Sequence, residues 1–163
     1  MRYGKVLVTL DGSQFAEAAL QHALRIAEAG ARIHLLSVVT EDPVSEVAAL
    51  ASSLAQPLAM FEGKFTPAAQ AAHREMVQAR EKYLTQISEW LHDQGYAVSV
   101  EVRPGNAVDQ IIEVAREGFE VIVMASHGRT GLSRLALGSV AEGVLHKASC
   151  PVLIIPIRSA QAE

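Results

Sequence analysis

The chain has too few cysteines for an internal disulfide and no apolar run long enough to cross a membrane. Cys150 is its only cysteine, and we expect it to be a small core residue just before a strand. The longest apolar stretches, such as residues 152–157, fall far short of the ~20 residues that a bilayer-spanning helix requires. The apolar run near the amino terminus is too short for a signal peptide. These absences predict a cytoplasmic protein that does not enter the membrane.

Aromatic residues and positive charge are also scarce. Aromatics make up 5% of the 163 residues, charged residues 20%, and the formal net charge is -4. A general nucleic-acid binder would carry an excess of positive charge, so we expect no nucleic-acid partner. Half of the residues are hydrophobic, which excludes a disordered chain. The length favours one domain over residues 1–163.

The sequence lacks the common signatures of catalytic and metal sites. Five histidines are scattered without metal-ligand spacing: His22, His34, His73, His92 and His146. There is no Walker motif, no dinucleotide-binding glycine pattern and no Gly-x-Ser-x-Gly elbow. Ser126, His127 and Asp11 could be drawn as a triad, but adjacent loop residues rarely achieve that geometry. We therefore predict no catalytic residues and no metal.

What the sequence does contain is an alternation of apolar strands and amphipathic helices. Runs rich in β-branched residues recur five times, at residues 5–10, 33–39, 97–102, 121–124 and 152–157. Near-continuous apolar strands with helices between them indicate an α/β fold with an open parallel sheet covered on both faces. We expect five strands in the order 3-2-1-4-5. The third strand alternates polar and apolar residues, which places it at an edge.

Start and stop signals predict where the helices lie. The first is expected at residues 15–29, with Gly30 ending it, and a long helix is expected from Pro67 until Gly95. Asn106 with Asp109 predicts a capping box for a helix over 107–117, and Ser139 with Glu142 predicts another.

A segment at about residues 40–65 is longer than an ordinary loop. Its apolar residues recur every three or four positions, which favours a short helix laid over the fold or over a partner. The alternative is a mobile, disordered insertion.

The stretch from Met124 to Val140 leaves a strand through glycines and arginines before the last predicted helix begins. A helix start offers unpaired N–H groups and the positive end of the helix dipole, so it attracts anions. Gly128 allows close approach of the backbone to a ligand, Gly131 can take a left-handed turn, and Arg129 and Arg134 add positive charge. The spacing indicates a phosphate site. The alternative is an ordinary glycine-containing connection to a capped helix.

These residues resemble the universal stress protein family. The resemblance is carried by Gly128, nine residues and then Gly138-Ser139, by the Cys150-Pro-Val-Leu-Ile-Ile-Pro156 segment, and by the amino-terminal Lys5-Val-Leu-Val-Thr-Leu-Asp-Gly-Ser13. It spans nearly the whole chain and implies an adenine-nucleotide α-hydrolase-like fold, ATP as ligand with or without Mg²⁺, and a homodimer.

The resemblance also implies a set of binding residues. Thr9, Leu10 and Asp11 would lie against adenine and ribose, with Asp11 accepting hydrogen bonds from sugar hydroxyls. Val38 would contact adenine, Met124 and Ala125 would line the nucleoside pocket, and the triphosphate would be held by Gly128, Gly138, Ser139 and Val140. His127 and Arg129 are further candidate phosphate contacts.

Two of these positions leave alternatives open. Ala125 replaces the first glycine of the family's nucleotide-binding pattern. If the backbone there needs a positive φ, alanine costs on the order of 1 kcal/mol, whereas one extra methyl group could otherwise fit. Asp11-Gly-Ser13 is also a common turn and helix-capping arrangement, in which the carboxylate or hydroxyl simply accepts from helix N–H groups.

Three classes of function remain. The first is an ATP-binding, dimeric stress or signalling module without efficient catalysis, although weak ATP hydrolysis is compatible with it. The second is a slow ATP-hydrolysing or adenylating enzyme, and the third is a family member that binds no nucleotide and acts through protein contacts. For the dimer, the apolar fifth strand at a sheet edge is predicted to pair across a two-fold axis through Val152, Ile154 and Ile155. The alternative is that segment 40–65 covers this edge.

Overall fold

The computed structural model describes residues 2–39, 67–126 and 137–156. In these residues strands and helices alternate as β1 (Tyr3–Thr9), α1 (Gln14–Ile26), β2 (Ala27–Val39), α2 (Pro67–Asp93), β3 (Ala97–Pro104), α3 (Ala107–Ala115), β4 (Val121–Ala125), α4 (Ser139–Lys147) and β5 (Val152–Ile155). All paired strands are parallel, in the order β3-β2-β1-β4-β5. The predicted fold class and strand order are confirmed. Because the strands are parallel, their carboxyl ends all meet at one edge of the sheet.

The sheet is buried on both faces, which explains why its central strands are continuously apolar. Val6, Leu7 and Val8 of β1 are each fully buried, and alternate residues belong to separate core clusters. One cluster packs β1 against α1 and α2, through residues such as Leu20 and Leu84. The other packs the opposite face against α3 and α4. A sheet of this kind needs helices on both sides, as the alternating sequence predicts.

The boundary between α1 and β2 differs from the prediction. α1 ends at Ile26, and Ala27 is already extended and paired with Tyr3. The register then shifts before Lys5 pairs with Arg32, which leaves extra residues of β2 unpaired in a bulge. Gly30 has a φ of +74° inside this bulge, so it serves the strand rather than ending the helix. The prediction of a helix to residue 29 is therefore wrong, because pairing with β1 overrides the local helix pattern.

The ends of the other elements show smaller differences. Asn106 caps α3 by accepting from the N–H of Asp109 at 3.2 Å, as predicted, but the helix ends at Ala115 rather than 117. The Ser139–Glu142 capping box is wrong: Gly138 is the N-cap and Ser139 is the first helical residue. β5 stops at Ile155, because the following Pro156 has no N–H to donate.

The long helix α2 spans most of its predicted range and is followed by Gly95 at a φ of +86°. Its contact with the core is made by Leu84 and Leu91, which are fully buried. Trp90 on the same helix is 42% exposed. No helix in the described parts of the chain is long and apolar enough to cross a membrane. The predicted short helix within segment 40–65 lies outside the described residues.

The edge position of β3 is confirmed. Ser99, which is exposed, and Glu101, which is partly exposed, both contact His34 of β2. Nδ1 of His34 lies 2.7 Å from the Ser99 hydroxyl, and Nε2 lies 3.2 Å from a Glu101 oxygen. The apolar face is open at Val100, which is 42% exposed. His34, which is partly buried, therefore links the polar side chains of β3 to the neighbouring strand.

Candidate functional site

A cavity of about 230 Å³ lies where the carboxyl ends of β1, β2 and β4 meet the starts of α1, α3 and α4. The chain winds from β1 toward β3 in one direction and then crosses to β4 and β5 in the other. Ligand sites of open α/β sheets form at this reversal, because adjacent connections leave on opposite faces and open a crevice between them.

The structure brings the sequence-predicted site residues in the described ranges together around this cavity. Those lining it are Thr9, Leu10, Asp11, Val38, Met124, Ala125, Gly138, Ser139 and Val140. The remaining candidates, His127, Gly128 and Arg129, lie outside the described residues, as do Gly131 and Arg134. Residues 9–11 near the amino terminus and residues 138–140 near the carboxyl terminus thus line the same cavity.

The sequence left two roles open for the Asp11–Ser13 turn, capping of α1 and binding of a ligand, and the two side chains make different contacts. Ser13 is the N-cap of α1 and accepts from the N–H of Ala16 through its hydroxyl oxygen at 3.3 Å. One carboxylate oxygen of Asp11, Oδ1, accepts from the N–H of Ser13 at 3.0 Å and from its hydroxyl at 2.6 Å. The other oxygen, Oδ2, is buried and has no hydrogen-bond partner among the described residues. The turn therefore caps the helix and still presents an unsatisfied acceptor.

The start of α4 is tied to the end of β4 by backbone hydrogen bonds. The N–H of Ser126 donates to the carbonyl of Ile155 at 2.8 Å, and the N–H of Gly138 donates to the carbonyl of Ser126 at 2.9 Å. These two bonds return the chain to the strand edge after the glycine-rich stretch. They explain why α4 begins at the cavity rather than farther along the sheet.

The first turn of α4 is not satisfied by a capping side chain. Gly138 has no side chain to offer, and no side-chain hydrogen bond caps this helix in the described residues. Since the first N–H groups of a helix have no partners within it, those of the first α4 turn are available to a ligand at the cavity. The positive end of the helix dipole points the same way.

Ala125 occupies an ordinary strand conformation. It is the last residue of β4, pairs with Ile155 of β5 and lines the cavity. No residue other than glycine has a positive φ in the described parts of the chain. Of the two possibilities for this position, the structure thus has the one in which alanine carries no backbone strain.

Sequence reasoning missed the contribution of α3 to the site. Ala107 and Ile111 line the cavity together with Leu36 of β2. The N–H of Gly105 donates to the carbonyl of Val39 at 2.9 Å and so holds the start of α3 beside the end of β2. The Asn106 cap marked the start of this helix in the sequence, but only the pairing of β2 with β3 brings it to the cavity.

The site has the character of an organic-ligand pocket. Much of its lining is apolar, with residues such as Leu36, Ile111 and Met124, and polar residues such as Thr9, Asp11 and Ser139 also line it. Among the described residues, no group of three or more histidine, cysteine, aspartate or glutamate side chains could hold a metal ion. The arrangement suits a flat apolar group that carries hydroxyls and a negative charge.

The sequence is similar to a known family along nearly its whole length. The model of the universal stress protein family matches residues 2–156. Universal stress protein MJ0531 of Methanocaldococcus jannaschii is 32% identical over 155 residues, which cover 94% of this chain and 82% of that protein. Universal stress protein MJ0577 of the same organism is 29% identical over 164 residues, covering 94% of each chain.

Solved structures share the fold. The structure of MJ0577 superposes with a TM-score of 0.78 at 26% identity, covering 98% of this chain and all of that one. A universal stress protein solved in complex with cAMP superposes with a TM-score of 0.54 at 20% identity, covering 95% of this chain and 98% of that one.

Proposed function

This chain belongs to the universal stress protein family, and from that premise we propose that it is an ATP-binding module whose nucleotide lies in the cavity at the carboxyl ends of β1, β2 and β4. The observation that carries the proposal is the buried, unsatisfied Oδ2 of Asp11 beside the uncapped start of α4. Together they supply an acceptor for hydroxyls and donors for an anion around one largely apolar cavity.

The apolar wall is suited to the base. Val38, Ile111 and Met124 come from three different elements and line the cavity. Apolar side chains on both sides of a flat ring exclude water and leave orientation to a few polar groups. At about 230 Å³ the cavity suits a base with its sugar, so the phosphates are expected at its mouth.

Asp11 is proposed to bind the sugar. Its Oδ1 is held by Ser13, which fixes the direction of the carboxylate, and Oδ2 remains as acceptor. A buried carboxylate oxygen without a hydrogen bond is costly, and sugar hydroxyls would remove that cost. The fit of the site to a nucleotide therefore rests on an acceptor that the described residues leave unused.

The start of α4 is proposed to hold the phosphates through Gly138, Ser139 and Val140. Gly128, His127 and Arg129 stay as predicted phosphate contacts outside the described residues. The cAMP complex shows a nucleotide in a protein of this fold. Because that protein is only 20% identical to this chain, the likeness supports a shared fold and not a shared ligand. The proposal of ATP binding therefore depends on the residues that line the cavity in this chain.

We propose a binding role rather than efficient catalysis, in the cytoplasm and as a homodimer. Strand β5 ends the sheet, and its Val152 and Ile154 are only partly buried within the subunit. Ile155 is 6% exposed and already packs inside the subunit. Of the three predicted contact residues, Val152 and Ile154 are therefore left to carry side-chain contacts across the two-fold axis.

Calorimetric titration with ATP, ADP and AMP, with and without Mg²⁺, tests the function. Asp11→Asn keeps an oxygen for Ser13 but replaces the second oxygen with an amide, so ATP affinity should fall about tenfold, the worth of one hydrogen bond to a charged group. Asp93→Asn, an exposed site at the end of α2, is the matched control and should bind like the wild type. Failure of the wild type to bind any adenine nucleotide would refute the proposal.

A further inference from the structure

Arg80 of α2 packs against the turn that carries Asp11. Gly12, between Asp11 and Ser13, has a φ of +76°, and a Cβ built there would overlap the Arg80 guanidinium, at 2.8 Å from Cζ and 3.4 Å from Nε. The guanidinium group therefore occupies the space that a side chain would take at Gly12. Asp11 lines the cavity, whereas Gly12 and Arg80 do not, so Arg80 packs against the turn from outside the cavity lining.

The charges around the turn support this arrangement. Tyr83 lies three residues from Arg80 on α2, and its hydroxyl is buried without a hydrogen-bond partner in the described ranges. Burial raises the pKa of Tyr83 most, the negative charges of Glu17 and Asp11 raise it further, and Arg80 lowers it. Arg80 thus brings positive charge into a group that contains two carboxylates, one of which is Asp11.

The turn needs a support on this side because its middle residue is glycine. Glycine populates many backbone conformations, so the turn is not held in shape by its own sterics. Ser13 fixes one carboxylate oxygen from within the turn, but that contact moves with it. Arg80 belongs to a long helix anchored in the core through Leu84 and Leu91, and a planar guanidinium group is a rigid surface to pack against.

We propose that Arg80 is a positioning residue, whose guanidinium group holds the Asp11–Ser13 turn so that Oδ2 of Asp11 points to the sugar hydroxyls of a nucleotide. The inference rests on the proposed ATP-binding function and adds a residue from outside the cavity. It makes α2 a determinant of ribose recognition. Its specific consequence is that Arg80 contributes to the preference for hydroxylated over hydroxyl-free sugars and not to nucleotide affinity in general.

The experiment compares ATP with 2′,3′-dideoxy-ATP by calorimetry. Wild-type protein should prefer ATP by about tenfold, since the hydroxyls bond a charged acceptor. Arg80→Met keeps the length of the stem but removes the guanidinium group, and it should reduce this preference to nearly one while leaving dideoxy-ATP affinity unchanged. Arg80→Lys should restore part of the preference. Arg74→Met, the same change at an exposed position of the same helix, should retain it fully.

The outcomes separate this inference from the function on which it rests. If the wild type binds neither nucleotide, the proposed function fails. If it binds both equally, the sugar role of Asp11 fails and the role of Arg80 with it. If the wild type prefers ATP and Arg80→Met keeps that preference, or loses both nucleotides equally, the positioning role is overturned while ATP binding stands. Thermal unfolding shows whether each variant is folded. If Arg80→Met does not fold, the preference of Arg80→Lys for ATP over dideoxy-ATP is the test, and a preference equal to that of the wild type overturns the positioning role.

Discussion

Replacing Gly143 by alanine should destabilise the protein, although alanine is the better helix former. Gly143 is the fifth of nine residues in α4, where the substitution alone should add about 1 kcal/mol of stability. However, a Cβ built there stands 2.8 Å from Cγ2 and 3.1 Å from Cγ1 of Val108 in α3. Val108 is β-branched and has little rotamer freedom in a helix, so α3 and α4 would have to separate.

The magnitude follows from these two opposing effects. Overpacking by one methyl group costs about 1–3 kcal/mol, so Gly143→Ala should lower the free energy of unfolding by about 1 kcal/mol after the helix gain. Separating the helices also moves the first turn of α4, which lines the cavity. ATP affinity should therefore fall together with stability.

Urea unfolding followed by circular dichroism measures the effect, with an unchanged m-value as the check that only stability has altered. The matched control is the same substitution in a Val108→Ala background. There the two γ-methyl groups are absent, and Gly143→Ala should stabilise the protein by about 1 kcal/mol. The double-mutant cycle should then give a coupling energy of about 2 kcal/mol. A gain of stability from Gly143→Ala in both backgrounds would show that the close approach of α3 and α4 carries no cost.

Three further predictions concern separate parts of the fold. Ala125→Gly should leave ATP affinity unchanged or make binding tighter, because it removes a methyl group from a residue that lines the cavity. It should lower stability by about 0.5–1 kcal/mol, since glycine gains freedom in the unfolded chain and Ala125 has no positive φ to relieve. Weaker ATP binding in calorimetry would contradict this. Burial lowers the pKa of His34 below 6.5, against the opposing effect of Glu101, so the stability that neutral His34 contributes is complete above pH 6.5 and is lost as the pH falls below it. Below pH 6.5 the free energies of unfolding of the wild type and His34→Asn, measured with urea, should diverge by at most about 1.4 kcal/mol per pH unit. Parallel pH dependences of the two proteins between pH 5 and 7 would refute the lowered pKa of His34. Ile154→Lys should convert the dimer to a monomer in sedimentation, since it places a charge on the partly buried strand β5. Glu89→Lys, at an exposed position of α2, is the control and should leave the dimer intact. A wild-type protein that sediments as a monomer at micromolar concentration would exclude the dimer.

Local sequence patterns determined most elements of this fold because their physical causes are local. Apolar β-branched runs predicted the five strands, and Pro67, Gly95 and Asn106 marked helix ends through constraints that act within a few residues. The positions of Thr9, Asp11, Gly138 and Ser139 at one site were anticipated from the family resemblance and from the rule that parallel strands end at the same edge. The cavity brings these residues together.

What the sequence could not decide depends on partners distant in the chain. α1 ends at Ile26 because Ala27 pairs with Tyr3 of another strand, a choice that the helix pattern through residue 29 does not contain. Gly138 rather than Ser139 caps α4 because its N–H is drawn to the carbonyl of Ser126.

The part of the site contributed by α3, and the contact of Arg80 with Gly12, likewise exist only once the sheet is assembled. Arg80 lies 68 positions beyond Gly12, and no periodicity or motif connects the two residues. Backbone propensities act over neighbouring residues, whereas the shape of a site depends on which distant side chains compete for the same space. For that physical reason the strands and helices could be predicted from the sequence, and the support behind Asp11 could be recognised only in the tertiary structure.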